Sequence, residues 1–262
     1  MSSNAGWPEA APPSAPVEQL PFSSAAIENP PWNGWDVLRI GLLMFVVPYL
    51  VIPVVALGVQ KLFYPGVPFM EVAQKPWLAL STQFAWYGVI AFYMVLFVEG
   101  TYRQRFWTSI RWNWPVQWPL LVPVGMVLVS LQGLERFFRL PKHIPMEEFL
   151  KTPLAAALTG ILAVSIGPLM EELFFRGFFY PVLARRFGMI VGILATSVAF
   201  GLIHAAQLAF AWGLVLVVFL VGLVLTIVRA KTRSVASSFI VHVAYNTTLV
   251  VLGIFAGHQA AK

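Results

Sequence analysis

The chain has 262 residues, of which 59% are hydrophobic and 11% are charged. A soluble domain carries about a quarter charged residues, so these charges are too few to cover a surface that faces water. The absence of cysteine excludes a thiol nucleophile, disulfides and thiolate metal ligands. The net charge of +6 does not indicate nucleic acid, because the basic residues cluster in short loops between apolar runs. We therefore predict an integral, multi-pass membrane protein.

The N-terminal residues 1–35 differ in composition from the rest of the chain. They contain seven prolines with Ser and Ala between them, and they lack the basic start and continuous apolar core of a signal peptide. We expect a loosely ordered arm with little function of its own. The membrane domain is predicted to cover residues 36–258.

Apolar runs long enough to cross a bilayer, which takes about 20 residues each, follow one another along the chain. The predicted spans are 37–57, 78–98, 118–134, 153–183, 189–208, 212–228 and 235–255. The fourth is long for one crossing, and Gly167-Pro168 inside it predicts a kink, so it forms either one tilted helix or two. We expect an all-α transmembrane helical bundle of seven spans, or eight if the fourth is split.

The charges in the loops predict the orientation of the bundle. With the fourth run counted as one crossing, three groups of basic residues fall on one side of the membrane: Arg103, Arg105 and Arg111; Arg185 and Arg186; Arg229, Lys231 and Arg233. The positive-inside rule makes this side cytoplasmic and places the N-terminus there. The loop at residues 135–151, with charges of both signs, falls outside.

Two adjacent carboxylates lie inside the fourth run, where ionisable groups are functional candidates by default. Glu172 and Arg176 are four residues apart, so a helix places them on one face and an ion pair would hold Glu172 in place. Glu171 points about 100° away around the helix and has no local cation. This pattern favours Glu171 as a general base and Glu172 with Arg176 as its support, although the opposite assignment stays open.

Polar residues on two later runs complete a set suited to water-mediated amide hydrolysis. His204 in the fifth run can share an activated water with Glu171. His242 and Asn246 lie four residues apart in the last run, and both can donate hydrogen bonds to a carbonyl oxygen that gains negative charge. We assign no role to the other two histidines, His143 and His258.

Each of these features alone has a structural explanation. An ion pair, a buried histidine or an interhelical asparagine is common in membrane proteins without chemistry. Their joint occurrence on three runs favours function. Asp36 is the only aspartate, which excludes a two-aspartate protease within this chain, and neither His-Glu-x-x-His nor Gly-x-Ser-x-Gly occurs.

The three motifs together resemble those of the CPBP family of intramembrane proteases (CAAX proteases and bacteriocin-processing enzymes, also called the Abi family). The family pattern is Glu-Glu-x-x-x-Arg, then Phe-x-x-x-His, then His-x-x-x-Asn. It stands here as Glu171-Glu172-Leu-Phe-Phe-Arg176, Phe200-Gly-Leu-Ile-His204 and His242-Val-Ala-Tyr-Asn246. The resemblance covers about residues 150–250, and this chain departs from the pattern at none of the motif positions.

The resemblance implies a glutamate-type endopeptidase, without a metal cofactor, whose site lies inside a multi-helix fold. Glu171 and His204 would activate water, His242 and Asn246 would stabilise the oxyanion, and Glu172 and Arg176 would support them. It implies a membrane-associated or lipid-modified peptide substrate and the plasma (inner) membrane of a prokaryote, and it leaves the oligomeric state open.

Three alternatives stay open at this stage. Glu171, His204 and His242 could form a three-ligand zinc site, ranked lower because it leaves the base unassigned and Asn246 is a poor zinc ligand. A non-catalytic membrane immunity factor or scaffold would not need all of these groups. A proton-coupled transporter ranks lowest, because the chain shows no two matching halves.

Overall fold

The computed structural model describes residues 28–138, 141 and 144–260, without the side chains of residues 146, 148 and 256–260. Every regular element in these residues is helical. The α-helices are α1 (Gly34–Phe45), α2 (Pro48–Phe63), α3 (Phe69–Ala73), α4 (Pro76–Tyr102), α5 (Phe106–Ser109), α6 (Trp118–Leu128), α7 (Pro153–Val164), α8 (Ile166–Glu171), α9 (Tyr180–Phe187), α10 (Met189–Ile203), α11 (Trp212–Thr232) and α12 (Val235–Ala260). Two 3₁₀ segments, Val129–Phe137 and Pro145–Leu150, and a π-helix, Glu172–Phe179, complete the structure.

Six helical runs in the described part of the chain are long and apolar enough to cross a membrane. They are Gly34–Phe63, Pro76–Tyr102, Trp118–Phe137, Pro153–Phe187, Trp212–Thr232 and Val235–Phe255. The predicted all-α membrane bundle is thereby confirmed. Among the six, the run Trp212–Thr232 is the most buried.

The fifth predicted span, residues 189–208, is shorter than expected. Helix α10 ends at Ile203, and residues 204–210 form turns with left-handed backbone at Ala209 and Phe210. The His204 side chain explains the ending: Nδ1 donates to the Phe200 carbonyl oxygen at 2.8 Å, the acceptor that an α-helix would offer to the His204 amide. That amide donates to the Gly201 carbonyl instead. His204 therefore lies at the end of a short helix and not inside a full span.

The long fourth run is broken into segments, as Gly167-Pro168 predicts. Helix α7 ends at Val164, Ser165 leaves the helical conformation with φ −131° and ψ −98°, and α8 starts at Ile166. The proline ring of Pro168 crowds the carbonyl four residues earlier, at Val164, which places the break there. Beyond α8 the chain continues as the π-helix and then as α9, so residues 153–187 are neither one α-helix nor two.

The π-helix carries the second glutamate and the arginine of the first motif. All of its residues from Glu172 to Phe178 are buried. A π-helix is rare, and where it occurs it commonly marks a functional site, because the wider turn redirects side chains. The 3.6-residue period assumed from the sequence therefore does not hold beyond Glu171.

The expected loose arm, residues 1–35, lies mostly outside the described residues. Its last part, residues 28–33, does not have the loose packing expected of it. Glu28, Pro30 and Trp32 are buried, while Asn29 and Asn33 are exposed. This segment, which we call the N-terminal strap, lies across the helix ends that carry the predicted cytoplasmic arginines. Arg111 and Arg229 both contact Glu28, and Arg185 donates to the Pro30 carbonyl, so these ends share one face as the loop charges predict.

Two close helix contacts bring the motif-bearing helices together. A Cβ atom at Gly125 of α6 would meet the backbone and side chains of Val241, Ala244 and Tyr245 on α12. A Cβ atom at Gly222 of α11 would lie 2.8 Å from Cδ1 of Phe200 on α10. Because a Cβ atom would clash at both positions, glycine lets α6 lie close to α12 and α11 lie close to α10.

Candidate active site

Glu171 lies at the centre of a group of polar side chains. One carboxylate oxygen, Oε1, is 3.7 Å from Nε2 of His204, and the other, Oε2, is 3.7 Å from Nε2 of His242. The Glu171 side chain is 18% exposed and the His204 side chain 20%, so water can reach both. Distances above 3.5 Å are too long for direct hydrogen bonds and fit a water molecule that bridges the groups.

The second ring nitrogen of each histidine has its own partner, which defines the chemistry of Nε2. Nδ1 of His204 lies 2.8 Å from the Phe200 carbonyl oxygen, and Nδ1 of His242 lies 2.9 Å from Oε1 of Glu172. Carbonyl and carboxylate oxygens only accept hydrogen bonds, so Nδ1 donates in both histidines. In the neutral form, Nε2 of each ring then presents a lone pair toward Glu171, and in the charged form it presents a donor.

Glu172 supports His242 through a buried ion pair. Nη1 of Arg176 donates to Oε1 of Glu172 at 2.9 Å, and both side chains are fully buried. The same oxygen accepts the hydrogen bond from His242, so one carboxylate atom joins the π-helix to α12. Nη2 of Arg176 donates to the Gly222 carbonyl oxygen at 2.9 Å, which ties the pair to α11. The predicted ion pair is present, and the structure adds His242 as its third member.

Asn246 contacts a different element from the one expected. Its Nδ2 donates to the carbonyl oxygen of Ala163 at 2.7 Å, next to the break between α7 and α8. A primary amide carries two N–H donors, and one of them anchors the broken helix. The sequence spacing placed Asn246 on the face of His242 but did not indicate the contact with Ala163.

The structure adds contacts that the motifs alone did not indicate. The Arg176 guanidinium lies over the ring of Phe200 at 4.5 Å, a cation–π distance, and the Phe200 ring also meets His242 edge to face. Tyr87 of α4 packs against the hydrophobic cluster that contains Met170, the residue before Glu171. A tyrosine in an apolar helix is an ordinary packing residue in a sequence, so only its position reveals this contact.

The same residues bear on the zinc alternative. Within the described residues, no group of three or more His, Asp or Glu side chains is arranged to hold a metal ion. Glu171, His204 and His242 are nevertheless neighbours, with each imidazole Nε2 3.7 Å from a Glu171 oxygen. The groups that could bind a ligand here are therefore one carboxylate and two imidazoles.

The helical bundle and this site define an integral membrane protein with a polar, water-accessible cluster on three helical runs. Residues 153–248 match the family described as Rce1-like, type II CAAX prenyl endopeptidase Rce1-like. Over these residues the chain is similar to type II CAAX prenyl endopeptidases, which agrees with the resemblance of its motifs to the CPBP family. No curated protein and no solved structure matches this chain significantly. All seven motif residues fall inside the matched segment, whereas α1 to α6 and the N-terminal strap lie outside it.

Proposed function

We propose that this protein is a glutamate-type intramembrane endopeptidase, in which Glu171 and His204 activate a water molecule that attacks a peptide carbonyl. The observation that carries the proposal is the position of the Glu171 carboxylate between Nε2 of His204 and Nε2 of His242, at 3.7 Å from each. The carboxylate accepts the proton of the water, and His204, held by the Phe200 carbonyl, shares that hydrogen bond. The proton then passes to the leaving amine.

We assign the oxyanion site to His242 and Asn246. In its charged form His242 carries an N–H at Nε2 in addition to the N–H at Nδ1 that donates to Glu172. The second N–H of Asn246 supplies the other donor. Preorganised donors of this kind are worth about 10²–10³ in rate each, which makes them a main part of catalysis. Glu172 and Arg176 act as positioning residues for His242.

The substrate class follows from the membrane setting and the family. The matched family is named for CAAX prenyl endopeptidases, and the site residues belong to a bundle with six helical runs apolar enough to cross a membrane. A lipid-modified or membrane-associated peptide partitions into such surroundings, and a soluble peptide does not. We therefore propose a lipid-modified or membrane-associated peptide as the substrate, and the plasma (inner) membrane of a prokaryote as the location.

Substitution of the three central residues tests the proposal. Purified protein in nanodiscs is incubated with a farnesylated peptide of CAAX type, and products are measured by mass spectrometry. We expect Glu171→Gln, His204→Ala and His242→Ala to abolish cleavage while the protein stays folded. Glu71→Gln, the same chemical change on an exposed glutamate of α3, serves as the matched control and retains wild-type activity.

The outcomes separate the assignments. Cleavage by the Glu171→Gln variant at the wild-type rate would show that Glu171 is not the base. If the wild type leaves the farnesylated peptide intact, the ends of membrane peptides from cells with wild-type protein are compared with those from cells with Glu171→Gln protein. A consistent new terminus identifies the substrate. Identical peptide ends in both cells, together with a cellular phenotype that survives the substitution, would favour a non-catalytic immunity factor or scaffold.

A chelator titration tests metal dependence on the same sample. We expect 1,10-phenanthroline to leave cleavage unchanged, because the proposed base, oxyanion donors and water need no Lewis acid. A loss of activity that added zinc restores would instead assign Glu171, His204 and His242 as zinc ligands. Glu71→Gln protein, treated in parallel, controls for nonspecific effects of the chelator.

A further inference from the structure

The N-terminal strap, residues 28–33, contacts the site-bearing π-helix from outside the matched family segment. Its buried side chains alternate with exposed ones, as in an extended segment that packs one face on the bundle. Glu28 and Trp32 point inward, and each lies at one end of a chain of contacts that leads to a carbonyl of the π-helix.

The first chain of contacts starts at Glu28. Its carboxylate accepts hydrogen bonds from Nη1 of Arg229 at 3.0 Å and from Nη2 at 3.4 Å, and Arg111 adds a third at 3.1 Å. Arg229 is 1% exposed, so Glu28 is the counter-ion that allows this arginine to be buried. The remaining donor of Arg229, Nε, donates to the Arg176 carbonyl oxygen at 3.2 Å.

The second chain of contacts is a single step. The indole Nε1 of Trp32 donates to the Phe178 carbonyl oxygen at 3.1 Å, and the indole stacks on the Phe178 ring with centroids 4.4 Å apart. Trp32 is fully buried. Arg185 donates to the carbonyls of Pro30 and Trp32, which holds the strap itself in place.

Both series of contacts end at backbone carbonyls of the π-helix Glu172–Phe179, which also carries the side chains of Glu172 and Arg176. In an α-helix each backbone carbonyl accepts a hydrogen bond from an amide of the same helix. The change to the wider π-helical turn alters this pairing, so donors from outside the helix can favour one conformation of the segment over another. A small rotation of this segment would move Oε1 of Glu172 away from His242, which lies at 2.9 Å. Errors of about 1 Å in a site cost up to about 10²-fold in rate.

We propose that Trp32 and Glu28 of the N-terminal strap are positioning residues, which hold the π-helix so that Glu172 aims His242 at Glu171. This inference rests on the proposed function for its effect on rate, but its structural part stands apart from that function. The strap would act on the chemistry through two backbone carbonyls and would contact no substrate.

The test removes one hydrogen bond and keeps the ring stacking. Trp32→Phe loses the indole donor to Phe178, while Trp35→Phe is the matched control, because Trp35 is 76% exposed and two residues beyond the strap. We expect Trp32→Phe to lower kcat about tenfold with KM changed less than about twofold, because the positioning of reacting groups and not substrate binding is affected. Trp35→Phe keeps both constants.

A spectroscopic readout makes the test independent of turnover. The chain has four histidines, so the ring resonances of His242 can be assigned by substitution in histidine-labelled protein. We expect these resonances to move in Trp32→Phe and to stay in place in Trp35→Phe. If Trp32→Phe does not fold, an isosteric analogue of tryptophan with sulfur in place of the N–H, introduced at position 32, removes the donor alone.

The outcomes are distinguishable. Unchanged kcat and unchanged His242 resonances in the Trp32 variants would overturn the proposed role of the strap, whatever Glu171→Gln does. A wild-type protein that cleaves nothing would overturn the proposed function, and displaced His242 resonances in Trp32→Phe would still support the contact between strap and site. If the Trp32 variants have a lower unfolding midpoint but unchanged kcat and unchanged His242 resonances, the strap stabilises the fold and does not position the site.

Discussion

At the scale of single residues, the two neighbouring glutamates occupy different surroundings. Glu172 is fully buried and shares one carboxylate oxygen between Arg176 and His242, whereas the side chain of Glu171 is 18% exposed and faces two imidazoles at 3.7 Å. A carboxylate held by a buried cation keeps its charge and its place, while one that faces water can exchange a proton. The adjacent positions therefore suit structural support and chemistry respectively.

This difference predicts that the same substitution changes stability at one position and not at the other. Glu172→Gln leaves Arg176 buried without a counter-ion, and Oε2 of Glu172 has no hydrogen-bond partner among the described residues, so the new amide group would lie buried and unpaired. We expect the free energy of unfolding to fall by about 3 kcal/mol or more, together with a loss of cleavage. Glu171→Gln should lose cleavage and keep its stability.

The measurement is reversible unfolding in mixed micelles, with cleavage assayed on the same preparations. Glu71→Gln on the exposed surface of α3 controls for the loss of one negative charge. Equal stability of Glu172→Gln and the wild type would contradict the assigned support role and would exchange the two glutamates in the mechanism.

At the scale of elements, the site depends on how closely α10 and α11 pack. The carbonyl of Gly222 accepts from Arg176, and the missing side chain of Gly222 makes room for Phe200, which in turn lies against Arg176 and His242. One glycine therefore joins three helical elements. The short α10 belongs to the same arrangement, because its last turn is reshaped by His204.

A methyl group at this crossing is predicted to separate the two helices. The Cβ of Gly222→Ala would lie 2.8 Å from Phe200, so the ring or the helix must move, and the bond from Arg176 to the Gly222 carbonyl weakens. We expect a loss of about 1–3 kcal/mol in the free energy of unfolding, and cleavage reduced at least about tenfold.

The control for this prediction is Gly88→Ala in α4, where an added Cβ has no described atom within 4 Å. It should keep activity and either keep or slightly raise stability, because alanine favours a helix over glycine. Equal behaviour of the two variants in unfolding and cleavage assays would mean that the α10–α11 crossing does not hold the site.

At the scale of the whole molecule, the basic helix ends and the N-terminal strap lie on one face of the bundle. Glu28 joins Arg111 to Arg229, and the backbone of the strap accepts from Arg185, so the three predicted basic groups meet through one segment. The proposed orientation puts this face in the cytoplasm. The loop between the first two membrane-crossing runs, which contains α3, then lies on the opposite side.

Single cysteines test this orientation cleanly, because the chain contains none of its own. Lys231→Cys lies at the exposed basic end of α11 and Glu71→Cys on exposed α3. In sealed vesicles with the cytoplasmic face outward, we expect a membrane-impermeant maleimide to label Lys231→Cys at once and Glu71→Cys only after permeabilisation. The reverse pattern would invert the topology. The expected pattern counts the shorter helix α10 as a crossing, so that five crossings separate the two positions. Labelling of both variants in sealed vesicles would contradict a crossing by α10.

The sequence alone determined the membrane setting, the helical class and the identity of the seven motif residues. Each follows from a local property: the length of an apolar run, the scarcity of charge, or a spacing of four residues on one helix. The break before Pro168 belongs here too, because a proline acts on the carbonyl four residues earlier wherever it lies in a helix.

Only the tertiary structure decided which groups meet, because those contacts join residues far apart in the chain. The pairing of His242 with Glu172, the anchoring of Asn246 on Ala163 and the burial of Glu28 against Arg229 have no periodicity that a sequence could show. The end of α10 was predicted wrongly for the same reason, since a side-chain bond from His204 overrides the helical propensity of the residues that follow. The positions of the motif Glu, His and Asn residues can thus be read from the sequence. Their arrangement around Glu171 depends on how the helices pack.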